Sequence, residues 1–227
     1  MSDSPLDAAF AHVPADIVAR ARRVRLACFD VDGTLTDGAL TFDSDGRELK
    51  TFHVHDGQGL VLLRKVGIAV ALITARQGSI VEKRARDLGI DAYMHVADKR
   101  AQVDRLREAL GIDPDAVAFM GDDLADVGAM RAAGLAVAPA DAGQRLEHLA
   151  EAGLRHRDVL AEAVPACAGA AAGAAQLPQV LRLGLVLDLA HGAAGRGEHG
   201  GEIRELLVDA VAVELDQQDR ALAEGEI

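Results

Sequence analysis

Short apolar runs alternate with amphipathic stretches along residues 24–138, and this pattern predicts an α/β fold. The apolar runs are continuous, which is typical of parallel strands buried on both faces. The predicted strands are residues 24–29, 68–73, 92–96, 116–120 and 135–138. The predicted helices are residues 56–66, 79–88, 98–110 and 124–133. Strands that alternate with helices of this length indicate a three-layer, Rossmann-like parallel sheet with helices on both faces.

A β-hairpin is predicted directly after the first strand. Two β-prone runs, 39–42 and 48–54, flank a turn that ends in Asp45-Gly46, and this arrangement is a strong hairpin signal. We expect the hairpin, about residues 38–54, to project as a flap over the carboxyl end of that strand.

The regions on either side of this core have a different character. Residues 14–23 predict a short helix, so we interpret residues 1–23 as a helical extension to a core of residues 24–141. Residues 142–227 are rich in Ala and Gly, a composition typical of a loosely ordered tail. Helical candidates in the tail are residues 143–152, 177–189 and 202–215.

The amino-acid composition and the net charge limit which kinds of binding partner this protein can have. Half of the 227 residues are hydrophobic, but there are only five Phe, one Tyr and no Trp, so the core is expected to be aliphatic. The net charge of −12 argues against nucleic acid or an anionic membrane as the main partner. Two cysteines, Cys28 and Cys167, do not make a disulfide framework, and neither a secretory signal nor a spanning stretch is evident. We therefore expect a cytoplasmic protein.

Candidate chemistry begins where the first strand ends. Asp30 and Asp32 lie two residues apart, so on a strand both carboxylates would face the same way, and Gly33 permits a sharp turn. Oxygen ligands of this kind suit Mg²⁺. Taken alone, an Asp-x-Asp-Gly sequence is more often an ordinary turn.

Three further polar positions are expected at the same edge of the sheet, because the carboxyl ends of parallel strands share it. Thr74 ends the strand at 68–73, and its hydroxyl could hold a phosphate oxygen or serve as a turn residue. Lys99 opens a helix, where a cation is unfavourable. It could be there to neutralise a phosphoryl group, or it could be an ordinary solvated lysine. Asp122 and Asp123 could complete a Mg²⁺ shell or cap the next helix.

Phosphoryl transfer accounts for all of these positions together. Asp30 is the candidate nucleophile, which would form an aspartyl-phosphate. Asp32 is the candidate general acid for the leaving oxygen and then the base for the hydrolytic water. Mg²⁺ and Lys99 would neutralise the transferring group.

Residues 24–141 resemble the haloacid dehalogenase superfamily of phosphatases. Phe-Asp30-Val-Asp32-Gly-Thr-Leu-Thr is similar to its first motif, Thr74 to its second, Lys99 to its third, and Gly-Asp122-Asp-Leu-Ala-Asp126 to its fourth. The resemblance implies a metal held by Asp30, Asp122 and the backbone carbonyl of Asp32.

Within that superfamily, the chain resembles the 3-deoxy-D-manno-octulosonate 8-phosphate phosphatase group, which acts in lipopolysaccharide biosynthesis. The resemblance rests on the short hairpin insert and on the runs 50–59, 73–76 and 82–84. It implies no cap domain, a sugar phosphate substrate, and a homotetramer in which the flap of one subunit lies near the pocket of the next. The residues implied to contact substrate are His53, Asp56, Gly57, Arg76 and Arg84.

Two departures from that group leave other hypotheses open. His55 stands where many members have Arg, which keeps another nonulosonate phosphate as an alternative substrate. The Gly-rich segment that ends such chains is represented here only by a displaced Gly200-Gly201, within a tail unlike the group. A non-catalytic assembly or regulatory module is therefore a second alternative, and a receiver-like signalling domain is a third.

Overall fold

The computed structural model describes residues 15–139 and residue 142. Its helices are α1 (Ala15–Ala21), α2 (Val54–Lys65), α3 (Ser79–Leu88), α4 (Lys99–Ala109) and α5 (Val127–Ala132). Its strands are β1 (Leu26–Phe29), β2 (Thr41–Phe42), β3 (Glu48–Leu49), β4 (Ala69–Ile73), β5 (Asp91–Tyr93), β6 (Val117–Met120) and β7 (Leu135–Val137). A 3₁₀ turn, Pro114–Ala116, precedes β6.

Five parallel strands form one sheet in the order β5-β4-β1-β6-β7. The central strand β1 pairs with both β4 and β6, and Phe29 at its end lies opposite Leu72 and Met120. The loops that follow these three strands therefore leave the sheet at the same edge.

Helices cover both faces of the sheet, which confirms the predicted three-layer α/β architecture. Alternate side chains of β1 belong to different cores: Phe29 packs in the core that includes residues of α1, α2 and α3. Cys28 packs in the core that includes residues of α4 and α5. Burial raises the pKa of the Cys28 thiol to about 12, so this cysteine is a packing residue of the interior.

The predicted hairpin is present, but it is much shorter than the sequence suggested. Only β2 and β3 pair, with Thr41 opposite Leu49 and Phe42 opposite Glu48. The prediction of a strand as far as residue 54 is wrong, because His53 is the N-cap of α2 and its Nδ1 accepts a hydrogen bond from the His55 N–H. Strand preference depends strongly on context, and at residues 53–55 helix capping decides the local structure.

Two other boundaries differ from the predictions for similar reasons. The last helix starts at Val127 and not at residue 124, because the preceding residues form a turn closed by the Asp126 carboxylate. The strand predicted for 92–96 ends at Tyr93; the Val96 N–H then donates to the Thr74 carbonyl. The predicted cap at Asp98 is present, since its carboxylate accepts from the Ala101 N–H.

The helical candidates at 143–152, 177–189 and 202–215 lie outside the described residues. Among the residues that are described, no helix combines the length and apolarity needed to cross a bilayer.

Gly134 provides a test of how tightly the segment before β7 is packed. A Cβ on Gly134 would lie 2.3 Å from the carbonyl oxygen of Asp115, and the Gly134 N–H donates to Pro114 O at 3.0 Å. We expect Gly134→Ala to lower the free energy of unfolding by about 1–3 kcal/mol, because backbone must move. Urea unfolding followed by circular dichroism measures the change.

Gly128→Ala is the matched control. Its Cβ would meet only Arg100 Cβ at 3.6 Å, an ordinary contact, inside α5. This substitution should stabilise the protein by up to about 1 kcal/mol through helix propensity. Equal effects of the two substitutions would contradict the packing described for Gly134.

Candidate active site

The loop after β1 places two carboxylates at the centre of the sheet edge. Asp30 is buried, and its N–H donates to Met120 O at 2.8 Å, which continues the pairing of β1 with β6. The Val31 carbonyl accepts three successive N–H groups, and Gly33 has a φ of 93°, so the chain turns tightly here. Asp30 and Asp32 thus lie beyond the end of β1. The prediction that strand geometry makes their carboxylates face the same way therefore does not apply.

Lys99 joins the two loops that follow β1 and β6. Its Nζ lies 2.7 Å from Asp30 Oδ1 and 2.6 Å from Asp126 Oδ1. The side chain is 4% exposed, and an ammonium buried to this degree requires such partners. The other oxygen of Asp126 accepts the N–H groups of Asp122 and Asp123, at 3.0 and 3.2 Å.

Burial and mutual contact shift the pKa values of all three groups. Burial raises the pKa of Asp30, a shift that Lys99 opposes. Burial, together with the nearby Asp30, raises the pKa of Asp126 to about 7. Burial by itself would lower the pKa of Lys99, but the two carboxylates outweigh it, so this pKa lies above its usual value.

Asp30, Asp122 and Asp126 form a cluster that could hold a cation. One carboxylate oxygen from each lies within 4.8 Å of the others. Asp126 was not among the predicted ligands, although it belongs to the motif at 121–126. Because both of its oxygens already accept hydrogen bonds, Asp126 is better suited to holding Lys99 and the loop than to binding a cation. The other two members of the cluster, Asp30 and Asp122, are carboxylates predicted as ligands from the sequence.

The geometry around Asp122 fits a divalent cation. A Cβ on Gly33 would lie 2.2 Å from Asp122 Oδ2, so only glycine leaves room for this carboxylate. Thr34 Oγ1 donates to Asp122 Oδ1 at 3.3 Å and so orients it. Three buried carboxylates lie close together at this edge, which favours a bound cation: Asp30, Asp122 and Asp126.

Asp32 makes a separate contact with the flap. Its Oδ1 accepts from Lys50 Nζ, and Lys50 also contacts Glu48 Oε1 at 3.1 Å. Arg76 Nη2 reaches the same Glu48 oxygen at 2.9 Å. Sequence analysis missed Lys50 and Glu48; the available signal was their spacing of two, which places both on one side of an extended segment.

Thr74 lies where predicted, at the end of β4, and is buried. Its Oγ1 accepts a hydrogen bond from the Arg76 N–H at 3.1 Å, so Thr74 acts as a turn residue, one of the two roles predicted for it. Because a hydroxyl also carries one donor hydrogen, the contact leaves Thr74 able to donate to a phosphate oxygen.

The predicted substrate residues are divided between two places. His53 and Asp56 line a cavity of about 490 Å³ beside the loop 34–37. Gly57 and Arg84 line a second, smaller cavity together with His53 and Asp56, and a Cβ on Gly57 would be 2.2 Å from Arg84 Nη2. Arg84 also lies over the Phe52 ring, 5.7 Å from its centroid. Arg76 instead faces the flap, through its ion pair with Glu48.

The parallel sheet, the buried aspartate held by a lysine, and the adjoining carboxylates define a phosphoryl-transfer hydrolase. Residues 56–134 match the family model described as a haloacid dehalogenase-like hydrolase. A relative from Escherichia coli K12, named 3-deoxy-D-manno-octulosonate 8-phosphate phosphatase, is 44% identical over 131 residues, which cover 57% of this chain and 70% of the relative.

Solved structures give the same result. A hypothetical protein from Xanthomonas campestris is 44% identical with a TM-score of 0.64, covering 79% of this chain and 90% of that one. A 3-deoxy-D-manno-octulosonate 8-phosphate phosphatase from Moraxella catarrhalis, in complex with magnesium, phosphate and KDO, is 40% identical with a TM-score of 0.53, covering 54% and 71%. This chain therefore belongs to the 3-deoxy-D-manno-octulosonate 8-phosphate phosphatase family of haloacid dehalogenase-like hydrolases.

Substitution of Asp122 tests the cation site without an activity assay. Mg²⁺ at one hundred times its Kd should stabilise the unaltered protein by about 2.7 kcal/mol. Asp122→Asn should weaken Mg²⁺ binding at least about tenfold, because even indirect partners of metal ligands have effects of that size. Thermal unfolding at a series of Mg²⁺ concentrations measures both values.

Asp123→Asn is the matched control, because the neighbouring Asp123 is exposed and its Oδ1 only accepts the Ala125 N–H. It should leave the Mg²⁺ response unchanged. A weakened response for Asp123→Asn with a normal one for Asp122→Asn would reverse the assignment.

Proposed function

We propose that this protein hydrolyses 3-deoxy-D-manno-octulosonate 8-phosphate to the free sugar acid and phosphate, with Mg²⁺ as cofactor. The observation that carries the proposal is the buried contact of Lys99 with Asp30, at the sheet edge of a chain 44% identical to a phosphatase of that name. Bound Mg²⁺ supplies positive charge that stabilises the transferring phosphoryl group.

In the first step, an Asp30 oxygen attacks phosphorus and the bond from phosphorus to the sugar oxygen breaks. The bonding electron pair stays on the sugar oxygen, which takes a proton from the Asp32 carboxyl and leaves as the alcohol. Lys99 and Thr74 hold the phosphoryl oxygens during this step.

In the second step, water gives a proton to the Asp32 carboxylate as its oxygen attacks phosphorus. The bond from phosphorus to Asp30 breaks and returns its electron pair to the aspartate, which releases phosphate. His53 and Asp56 on the cavity wall, together with Gly57, Arg76 and Arg84, complete the substrate contacts in this proposal.

His55 supports keeping another nonulosonate phosphate as the second candidate substrate. By the resemblance described above, it stands where many members of that group have Arg. Its ring lies near that of His53, with the two centroids 5.0 Å apart. A panel of acidic sugar phosphates, compared by kcat/KM, separates the two candidates. The non-catalytic alternative has less support, since Asp30, Asp32 and Lys99 are all present.

Substitution of the two catalytic aspartates tests the mechanism. Asp30→Asn should lower kcat by at least about 10³-fold, since the nucleophile is lost. Asp32→Asn should lower kcat by about 10²–10⁴-fold, the usual contribution of general acid–base catalysis. Phosphate release from the sugar phosphate with saturating Mg²⁺ measures both rates.

Asp123→Asn again serves as the control and should retain full activity. Full activity of Asp30→Asn would show that the nucleophile is another group.

The boundaries and the assembly are part of the proposal. We place the catalytic core at residues 24–141, between the helical extension 1–23 and the tail 142–227, in a cytoplasmic protein. The flap supports the proposed homotetramer, because it exposes three large apolar side chains by more than half: Leu40, Phe42 and Leu49. In a tetramer these side chains would be covered by the next subunit, near its pocket.

Phe42→Lys should disrupt this assembly, because it puts a charge in an apolar contact. We expect sedimentation velocity to give four times the chain mass for the unaltered protein and a smaller mass for the variant, with a raised KM. Leu110→Lys, at an equally exposed leucine that follows α4, should leave the mass unchanged. A monomeric unaltered protein would contradict the proposed assembly.

A further inference from the structure

Lys50 is a buried lysine that the reaction described above does not use. Its side chain is 5% exposed, and its ammonium contacts Asp32 Oδ1 and, at 3.1 Å, Glu48 Oε1. A buried ammonium is costly unless it is paired, so the two carboxylates account for its presence. They do not explain why it contacts Asp32 in particular.

The two oxygens of Asp32 have different surroundings. Oδ1 accepts from Lys50, whereas Oδ2 is buried and has no hydrogen-bond partner within the part of the chain that the structure describes. An unpartnered buried oxygen costs about 1–3 kcal/mol, and such oxygens are uncommon in folded proteins. A group that arrives with the substrate would remove this cost.

Lys50 is also held by Glu48, which in turn pairs with Arg76. Glu48 belongs to β3, and Arg76, from the loop after β4, contacts the same Glu48 oxygen at 2.9 Å. The charges alternate along the chain of contacts from Asp32 through Lys50 and Glu48 to Arg76. The position of the ammonium is thus determined by the flap and by the core together.

We propose that Lys50 is the positioning residue for the proton donor: it holds Asp32 by Oδ1 and so directs Oδ2 at the leaving oxygen of the substrate. This inference rests on the proposed function. In the first step, the proton moves from Oδ2 to the sugar oxygen as the bond from phosphorus to that oxygen breaks. In the second step, Oδ2 takes a proton from the attacking water. Lys50 keeps its own protons and touches neither phosphorus nor the leaving group.

A comparison of two leaving groups distinguishes positioning from a merely structural role. The sugar alkoxide needs a proton to leave, whereas nitrophenolate from p-nitrophenyl phosphate leaves without one. Lys50→Met should therefore lower the single-turnover rate of sugar release by about 10²-fold or more, within the range of general acid catalysis. The single-turnover rate of nitrophenolate release should fall less than about tenfold, because it precedes the second step, in which both substrates need Asp32. KM for the sugar phosphate should change little.

A double-mutant cycle tests whether Lys50 acts through Asp32. If it does, the variant that combines Asp32→Asn and Lys50→Met should be no slower than Asp32→Asn alone. Lys50→Arg keeps the charge and should recover part of the activity that Lys50→Met loses. If Lys50→Met does not fold, Lys50→Arg takes its place in the comparison. Lys83→Met, at an exposed lysine paired with Asp87, is the control and should match the unaltered protein.

Equal losses on both substrates, or additive losses in the cycle, would overturn the positioning role and leave Lys50 as a structural link between flap and core. The proposed function fails in a different way. If the unaltered protein hydrolyses another acidic sugar phosphate instead, the cycle is run on that substrate and still decides the role of Lys50. If it hydrolyses no phosphate ester, both proposals are wrong.

Discussion

The contact of Lys99 with Asp30 and Asp126 is the constraint on which the rest of the site depends. An ammonium that is 4% exposed must have partners, and these come from the loop after β1 and the turn before α5. The first turn of α4 is an unfavourable place for a cation, and the two carboxylates offset that cost. Asp98, which caps α4 one residue earlier, holds the helix start in the required position.

The acidic character of the site follows from this arrangement. Lys99 neutralises part of the charge of Asp30 and Asp126, while Asp122 is oriented by Thr34 and packed against Gly33. A divalent cation held by these carboxylates would favour the binding of an anionic phosphate ester. Burial is the main cause of the raised pKa values of Asp30 and Asp126, and a neighbouring carboxylate adds to each.

The flap contacts this centre on one side and exposes apolar side chains on the other. Its inner side contacts the core through Lys50 and Glu48, whereas Phe42 on β2 is exposed. A hairpin with two residues in each strand is too small to be stable alone. Its position therefore depends on the ion pairs beneath it and, in the proposed tetramer, on the neighbouring subunit. Lys50 also joins the flap to Asp32.

The hydrophobic pattern alone was enough to predict the sheet, its helices on both faces and the edge at which the site lies. Continuous apolar runs identify buried strands, and parallel strands bring their carboxyl ends together, so Asp30, Thr74 and Asp122 could be placed from the sequence. The resemblance to a known superfamily then gave these residues their roles.

Only the tertiary structure determined the partners of each charge. The sequence placed Asp126 in a motif and in a predicted helix, and Lys50 in a predicted hairpin strand, but it identified no partner for either residue. Both are buried ion-pair partners of residues far away in the chain. Helical and strand periodicities describe contacts between residues close in sequence, whereas a buried charge is paired by whatever the fold brings beside it. That is why the sequence predicted the position of the site but not the two residues that hold its aspartates.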